Sequence, residues 1–373
     1  MPRESDNATS PRWRPRYSLR LLLILIAALG VWLGIETNRA RNQRRIVAEV
    51  IAVGGKVHYD YNYNYKYHTG NPPTKGLIPG PEWLRRLIGD DYFISVVEVD
   101  LYQVQHCSAI LPELQGLPKL RTLKLWSAGV ADDDLDAICR LSALDYLDLR
   151  LTGVTDVGCQ SLAKLLNLES LCVAFTEIGN ESLRSISTLP KLKELKLGNT
   201  RITDDGMIYI RQMKGLHWLE IGRNRVTDEA LRAIEWVTSL ESLVLEDTPI
   251  TDDGLEHLRG LVDLGFLSLD RTNVTDAGMQ HLAGFRKLRQ LNLEGTAIDG
   301  SGLGQLASLP KLQFLELSRS KLSDANLREI SKLQNIHELG IEDTPLSLSA
   351  RQRLSKSLPN LDMPLAQPAA SPR

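Results

Sequence analysis

The stretch Leu240-Glu-Ser-Leu-Val-Leu-Glu-Asp-Thr-Pro-Ile-Thr-Asp-Asp-Gly-Leu-Glu-His-Leu-Arg-Gly-Leu-Val-Asp263 is one unit of a repeat. Its opening pattern, Leu240-x-x-Leu243-x-Leu245, recurs every 24 residues between Leu120 and Leu346, with no insertion or deletion. Upstream copies begin at Leu120, Leu144, Leu168, Leu192 and Leu216, and downstream ones at Leu264, Leu288, Leu312 and Ile336. One more step back reaches Val96-Val99-Leu101, an eleventh copy. A fixed period in the twenties makes each unit one supersecondary element that buries its apolar face only by stacking on its neighbours.

Within a unit, the leucine pattern predicts a short strand, and stacked strands predict one parallel sheet. Eight residues after the first leucine comes a polar column: Thr152, Thr176, Thr200, Asn224, Thr248, Thr272, Thr296, Ser320 and Thr344. Hydroxyl and amide groups there are expected to satisfy turn backbone groups between coils. The next column, Val154, Ile178, Ile202, Val226, Ile250, Val274 and Ile298, is core. Thr-Asp-x-Gly-Leu then recurs, as in Thr251 to Leu255, and predicts a helix start: Thr or Asp caps free N–H groups and the acid favours the positive helix end. Leu255, Leu258 and Leu261 carry that helix onto the sheet.

The chain has 373 residues, 43% hydrophobic, enough for a large core, and a formal charge of −2 that points away from nucleic acid. Basic charge is local. Arg3, Arg12, Arg14, Arg16 and Arg20 precede the apolar run Leu21–Ile35, and Arg39, Arg41, Arg44 and Arg45 follow it. Extended over 17–37, with Arg20 and Glu36 snorkelling, the run reaches the length of a transmembrane anchor. A cleaved signal peptide is the competing reading, but small-x-small candidates such as Ala28-Leu-Gly30 lie inside the run. The arginine counts lean towards an extracytoplasmic repeat domain. Cys107, Cys139, Cys159 and Cys172 lack C-x-x-C spacing, and Cys159, in register with Leu135, Leu183 and Met207, is expected in the core.

Residues 1–16 are a basic tail, and 38–95 hold a linker helix, a tyrosine-rich strand and an N-terminal cap. The helix is expected to continue from the anchor until Gly54-Gly55 stops it. Tyr59, Tyr61, Tyr63, Tyr65 and Tyr67 alternate with polar residues as a strand would, either a strand or hairpin packed on the first repeat or an adhesive binding edge. Pro81 starts a short helix whose Trp83, Leu84, Leu87 and Ile88 are expected to cover the first core edge. The solenoid occupies 96–346, a closing cap with Leu354 and Leu358 occupies 347–361, and 362–373 is a Pro/Ala tail.

The units resemble the Thr-Asp-x-Gly-Leu class of leucine-rich repeats found in ribonuclease-inhibitor-like horseshoes and F-box leucine-rich proteins. The layout resembles anchored leucine-rich-repeat proteins of planctomycete-type bacteria. The likeness rests on Ser18-Leu-Arg-Leu-Leu22, Gly54-Gly-Lys-Val-His-Tyr-Asp-Tyr61 and Pro81-Glu-Trp-Leu-Arg-Arg-Leu-Ile-Gly-Asp-Asp91. It implies an α/β horseshoe solenoid of about eleven units, parallel sheet on the concave face, behind an N-terminal transmembrane helix. It implies no activity.

Candidate chemistry is sparse. Gly300-Ser-Gly302-Leu-Gly304 resembles a phosphate loop only until Gly302 is placed in register with Gly158, Gly206, Gly254 and Gly278. His257 and His281 lie one period apart, without a third ligand. Asp132, Asp156, Asp204, Asp228, Asp252, Asp276 and Asp324 form a ridge for which calcium is the alternative to helix capping. Asn180-Glu-Ser and Asn273-Val-Thr match glycosylation sequons in helix-start turns. No catalytic arrangement, cofactor motif or metal site emerges, so a non-enzyme is expected.

Residues between the core leucines face the concave side. The first five repeats put Lys124, Trp126, Tyr146, Asp148, Arg150, Phe175, Glu194, Lys196, Trp218, Glu220 and Arg223 there, with near-balanced charge. The last five put Glu246, Asp247, Phe266, Asp270, Arg271, Glu294, Phe314, Glu316, Arg319, Glu338, Glu342 and Asp343 there, eight acids against two bases. Exposed aromatics among charges suit a protein interface. The expected partner-binding set is Trp126, Tyr146, Phe175, Trp218, Glu220, Glu246, Asp247, Phe266, Asp270, Glu294, Phe314, Glu316, Glu342 and Asp343, facing a basic protein or peptide. Alternatives are a self-associating cell-envelope protein and an F-box-type substrate adaptor.

Overall fold

The computed structural model describes residues 19–64, 69–70, 78–358 and 360–361. Eleven parallel strands run in chain order from Val96–Asp100 to Glu338–Gly340. Each residue pairs with the one 24 positions on: Ser242 opposes Phe266, Leu243 opposes Leu267 and Val244 opposes Ser268. The leucines pointing away from the exposed sheet face, such as Leu243, Leu245 and Leu267, are fully buried. Strands stack about 4.8 Å apart, closer than helices pack, so the sheet lines the concave side.

On the outer side, each coil has few residues in which to turn back. Asp252–Leu255 makes one α-helical turn and Glu256–Gly260 continues as a 3-10 helix. The three-residue spacing of Leu255, Leu258 and Leu261 fits that 3-10 period, and all three are fully buried. Cys159 is buried in line with Leu135, Leu183 and Met207. Its thiol is pushed up to about 12 by burial, so it stays protonated and inert.

The helix-start acids work across coils. Asp228 accepts from the backbone N of Thr251 (2.9 Å) and from its hydroxyl (2.7 Å), while the Thr251 hydroxyl accepts from Asp253 N. The same rung joins Asp132 to Thr155, Asp204 to Thr227 and Asp252 to Thr275. Asn180 makes it with Thr203 through both amide atoms. The expectation that each acid serves its own helix is therefore corrected: each caps the following coil. This explains the glycine as well. A Cβ on Gly254 would sit 2.2 Å from Asp228 Oδ1, and one on Gly206 2.3 Å from Asn180 Oδ1. Gly302 follows the same logic, its N–H donating to Asp276 at 2.7 Å.

The polar column behaves in the opposite way to expectation. Thr152, Thr176, Thr248, Thr272, Thr296 and Thr344 donate to the carbonyl three residues back in their own coil, at 2.5–2.8 Å. Asn224 alone in this column bridges coils, donating to Leu197 O (2.7 Å) and accepting from Thr200. The Thr200 hydroxyl reaches past its own turn because the longer Asn224 amide comes to meet it, at 2.8 Å.

The N-terminal edge is closed by a helix and a strand. Helix α1 (Leu19–Ala52) is continuous, and 18 of its residues form a window of mean hydropathy 2.1 with none buried. It is long and apolar enough to cross a membrane. Its second half packs on the solenoid through Ala40, Gln43, Ile46 and Val50, one stripe of the helix. Gly116 admits Asn42 and Ile46 there, since a Cβ would meet Asn42 Nδ2 at 2.3 Å. Gly54, at φ +95°, ends the helix as expected. Strand β1 (Lys56–Tyr59) then pairs antiparallel with Val96–Asp100.

Two cap expectations are corrected. The tyrosine alternation is no single strand: β1 stops at Tyr59, a 3-10 turn spans Asp60–Asn62, and β2 (Tyr63–Asn64) pairs with β3 (Thr69–Gly70). Tyr61 stacks on Tyr59 although the strand has ended between them, and Tyr65 and Tyr67 lie outside the described residues. Helix α2 (Glu82–Ile88) forms after Pro81, but none of its residues is buried, because α1 already occupies the core edge. At the other end Leu348–Ser357 closes the solenoid, with Ser347 held by Asp324 as a last rung.

The rung predicts a specific mutational pattern. Asp228→Ala strands the Thr251 N–H and should cost about 2–4 kcal/mol in chemical denaturation, whereas Asp228→Asn, copying Asn180, should cost under about 1 kcal/mol. Gly254→Ala should destabilise the native chain but lose most of its effect beside Asp228→Ala. Additive losses would show that carboxylate and glycine act independently.

Candidate functional site

The sheet face carries three rows of side chains and an edge. In the row at each strand's first position stand Tyr146, Trp218, Phe266 and Phe314. Trp218 and Phe266 stack at 6.0 Å across the small Ser242 of the intervening coil. Phe314 stands two coils further on, beyond Gln290, at the rim of an open groove it shares with Phe266. Lys196 lies 5.2 Å over the Trp218 ring, whose Nε1 is enclosed without an acceptor. Tyr146 is more enclosed than expected, and burial raises its phenol above the ordinary range.

The second row holds Lys124, Asp148, Lys196, Glu220 and Glu316. Glu220 is raised from the usual carboxylate range, chiefly by burial, with Lys196 opposing. In the third row stand Trp126, Arg150, Glu246, Asp270, Glu294 and Glu342. Arg150 lies 4.6 Å over Trp126 and clamps the buried Asp148 at 2.5 Å. Asp270 is buried, raised by burial, and accepts from Ser268 and from Glu294 N.

Phe175, Asp247 and Asp343 stand elsewhere. They occupy the turn leaving each strand, where φ is +57°, +54° and +52°. Arg223, Arg271 and Arg319 share that position. Side chains there line one margin of the sheet instead of its floor, and their period of 24 sets them side by side. The result is an ion-pair chain: Arg223–Asp247 (3.1 Å), Asp247–Arg271 (2.7 Å), Glu294–Arg319 (2.9 Å) and Arg319–Asp343 (3.5 Å). Asp247 is held below its usual range, first by Arg271. Much of the counted acidity is thus internally compensated. Glu338 and Glu342 have no ion-pair partner among the described residues, and Glu316, Glu342 and Asp343 line one hollow at the C-terminal end.

Two features escaped the sequence. Tyr102, one period before Trp126, packs on it at 4.8 Å and extends the face into the eleventh copy; the spacing alone would have found it. The opposite margin is mixed, with Arg289, Lys287 and Lys311 around the Phe266–Phe314 groove and Lys287 paired to Asp263 at 2.6 Å. The aromatic row therefore divides this margin from the acidic one.

Other candidates resolve into local contacts. His257 meets Glu235 at 3.3 Å and His281 meets Arg259 at 2.6 Å, so each histidine faces the preceding coil and not the other. Among the described residues, no group of three or more His, Cys, Asp or Glu is arranged to hold a metal.

Residues 143–163, 188–210 and 238–258 match the family described as leucine-rich repeat. An internalin (inlF) of Listeria monocytogenes is similar in structure, with a TM-score of 0.56 and 22% identity over 71% of this chain and 78% of that one. A leucine-rich-repeat protein of Leptospira interrogans gives 0.50 and 20% over 68% and 74%. At these identities the likeness is one of fold. No curated protein matches the chain. The repeat, the sheet it builds and these likenesses together support a leucine-rich-repeat protein.

Proposed function

We propose that the chain is a non-catalytic, membrane-anchored module that binds a protein partner on the sheet face, outside the cytoplasm. Leucine-rich-repeat proteins generally mediate protein–protein interaction, and the observation that carries the reading here is the stacked Trp218–Phe266 pair beside a partly desolvated Glu220. Half-buried aromatics already held on a rigid floor lose little entropy on binding. The partner is a protein or peptide with a basic segment, because Glu316, Glu338 and Glu342 are left outside the margin's ion-pair chain and would steer opposite charge. Anchoring is supported by the unburied apolar half of α1 and by the layout shared with planctomycete-type anchored proteins.

Glu220 gives a stability test of a built site. Its raised carboxyl means that the ionised form is disfavoured in the folded state above the folded pKa, and that the cost fades as pH falls towards the unfolded value. Glu220→Gln should therefore raise the melting temperature at pH 7 and leave it unchanged in acid, where the glutamate is protonated in both states. An equal effect at both pH values would show that burial of charge is not the cause.

A photo-crosslinking residue at Phe314 should capture a partner in intact cells, and one at Val262, outside the sheet, should not. Capture should weaken with Glu338→Lys and Glu342→Lys together. Cross-links to a second copy of the chain would favour the self-association reading instead. Alongside, a C-terminal tag should fractionate with membranes and be cleaved by external protease. A protected tag would reverse the topology, and a soluble product would end the anchor reading.

A further inference from the structure

Helix α2 leaves an apolar face bare. Trp83 is 68% exposed, Leu87 75% and Ile88 38%, whereas the core-facing leucines of the repeat helices are wholly buried. Spaced at i, i+4 and i+5, the three share one side of the helix. Nothing in the solenoid covers it.

The segment that follows fixes where this face lies. Tyr92 Oη donates to Thr37 Oγ1 at 3.1 Å, Arg39 donates to Tyr92 O at 3.3 Å, and Arg44 pairs with Asp91 at 2.7 Å. Thr37 stands just past Ile35, the last residue of the exposed apolar run on α1. Arg44 reaches Gly89, at the end of α2, so closely that a Cβ there would lie 2.7 Å from its guanidinium. Seven residues separate Thr37 from Arg44, about 10 Å along a helix. The headgroup layer on one side of a bilayer is roughly 6 Å deep. If α1 spans a membrane up to Glu36, Thr37 and Tyr92 lie in that layer and Arg44, beside the end of α2, lies about 12 Å along the helix from Glu36, so α2 is held at the outer margin of the layer.

We propose that α2 is a second membrane contact, seated in the interfacial layer of an anionic bilayer beside the anchor. The proposal rests on the anchor reading above. Lipid is the occupant because the bare face is tied, through Tyr92 and Thr37, beside the end of the exposed apolar run of α1, and because base exceeds acid around it: Arg44, Arg85 and Arg86 pair with Asp91, Asp90 and Glu82, and Arg41 has no ion-pair partner among the described residues. An amphipathic helix with tryptophan and leucine on one side and arginine on the other is the composition that lies in an interface. Held at two points, the solenoid would stand at one fixed angle to the membrane.

The test uses the full chain in vesicles of phosphatidylcholine and phosphatidylglycerol. Leu87→Cys is labelled with an environment-sensitive fluorophore; the four native cysteines are buried and stay unlabelled. Val262→Cys, exposed on a central repeat, is the control. The Leu87→Cys label should shift to the blue and lose most of its emission to lipids brominated near the headgroup, while the control should not. Replacing phosphatidylglycerol by phosphatidylcholine should weaken the shift. A label that stays in water while the protein floats with the vesicles overturns the α2 contact and leaves the anchor standing. Protein that fails to float overturns both. A blue shift in detergent that grows with protein concentration would assign the face to a second copy.

Discussion

The structure depends on a single hydrogen-bonded rung: a carboxylate of one coil accepting both the backbone N–H and the hydroxyl of the threonine 23 residues on. Three residue types are dictated by it. Aspartate supplies two acceptors, threonine supplies a donor and then an acceptor for its own helix, and glycine leaves the space the carboxylate fills. The rung also forbids length changes. One residue inserted between strand and helix would move the threonine off its aspartate, which explains an unbroken period between Leu120 and Leu346. Where the threonine lapses, at Asp299, the backbone substitutes: Asp276 accepts from Asp299 N, Gly300 N and Gly302 N.

A second periodic constraint operates at the other end of each strand. Ten non-glycine residues, from Gln103 to Asp343, are left-handed, and Gly295 completes the series. An L-residue there costs about 1–2 kcal/mol. The strain is offset across coils, because from Gln103 to Arg319 the N–H of each such residue donates to the next strand's exit: Phe175 N to Gly198 O at 2.8 Å, Arg271 N to Glu294 O at 2.7 Å. The same conformation swings long side chains to one margin, where a period of 24 stacks arginine beside aspartate. The ion-pair chain is thus a by-product of the turn, and only the acids outside it are available to a partner.

Fold was legible in the sequence because a repeat states its answer ten times over. The site was legible by row but not by neighbour. Alternation decides that Trp218 and Phe266 face the same way, yet only the small Ser242 between them lets the rings meet. Capping rules are local, so Asp228 read as serving its own helix, whereas the free N–H it satisfies belongs to the next coil. The cap was the least legible part. An apolar α2 looked like a lid for the core because nothing in the sequence showed that α1 had taken that place.

That substitution ties α1 to the folding of the solenoid. Gln43 sits buried on the inner stripe of α1 with both ends of its amide in use, Nε2 donating to Ile94 O at 3.2 Å and Oε1 accepting from Val96 N at 3.1 Å. It caps the backbone of the first strand from a helix whose other half is bare and apolar. Releasing the helix would leave two backbone groups and the amide unpaired and expose Ile46 and Val50, each wholly buried. A hinge between the apolar half of α1 and the solenoid is therefore excluded while the cap is folded. The continuous helix fixes the direction of its apolar half relative to the sheet face, at an angle set by packing and not by a linker.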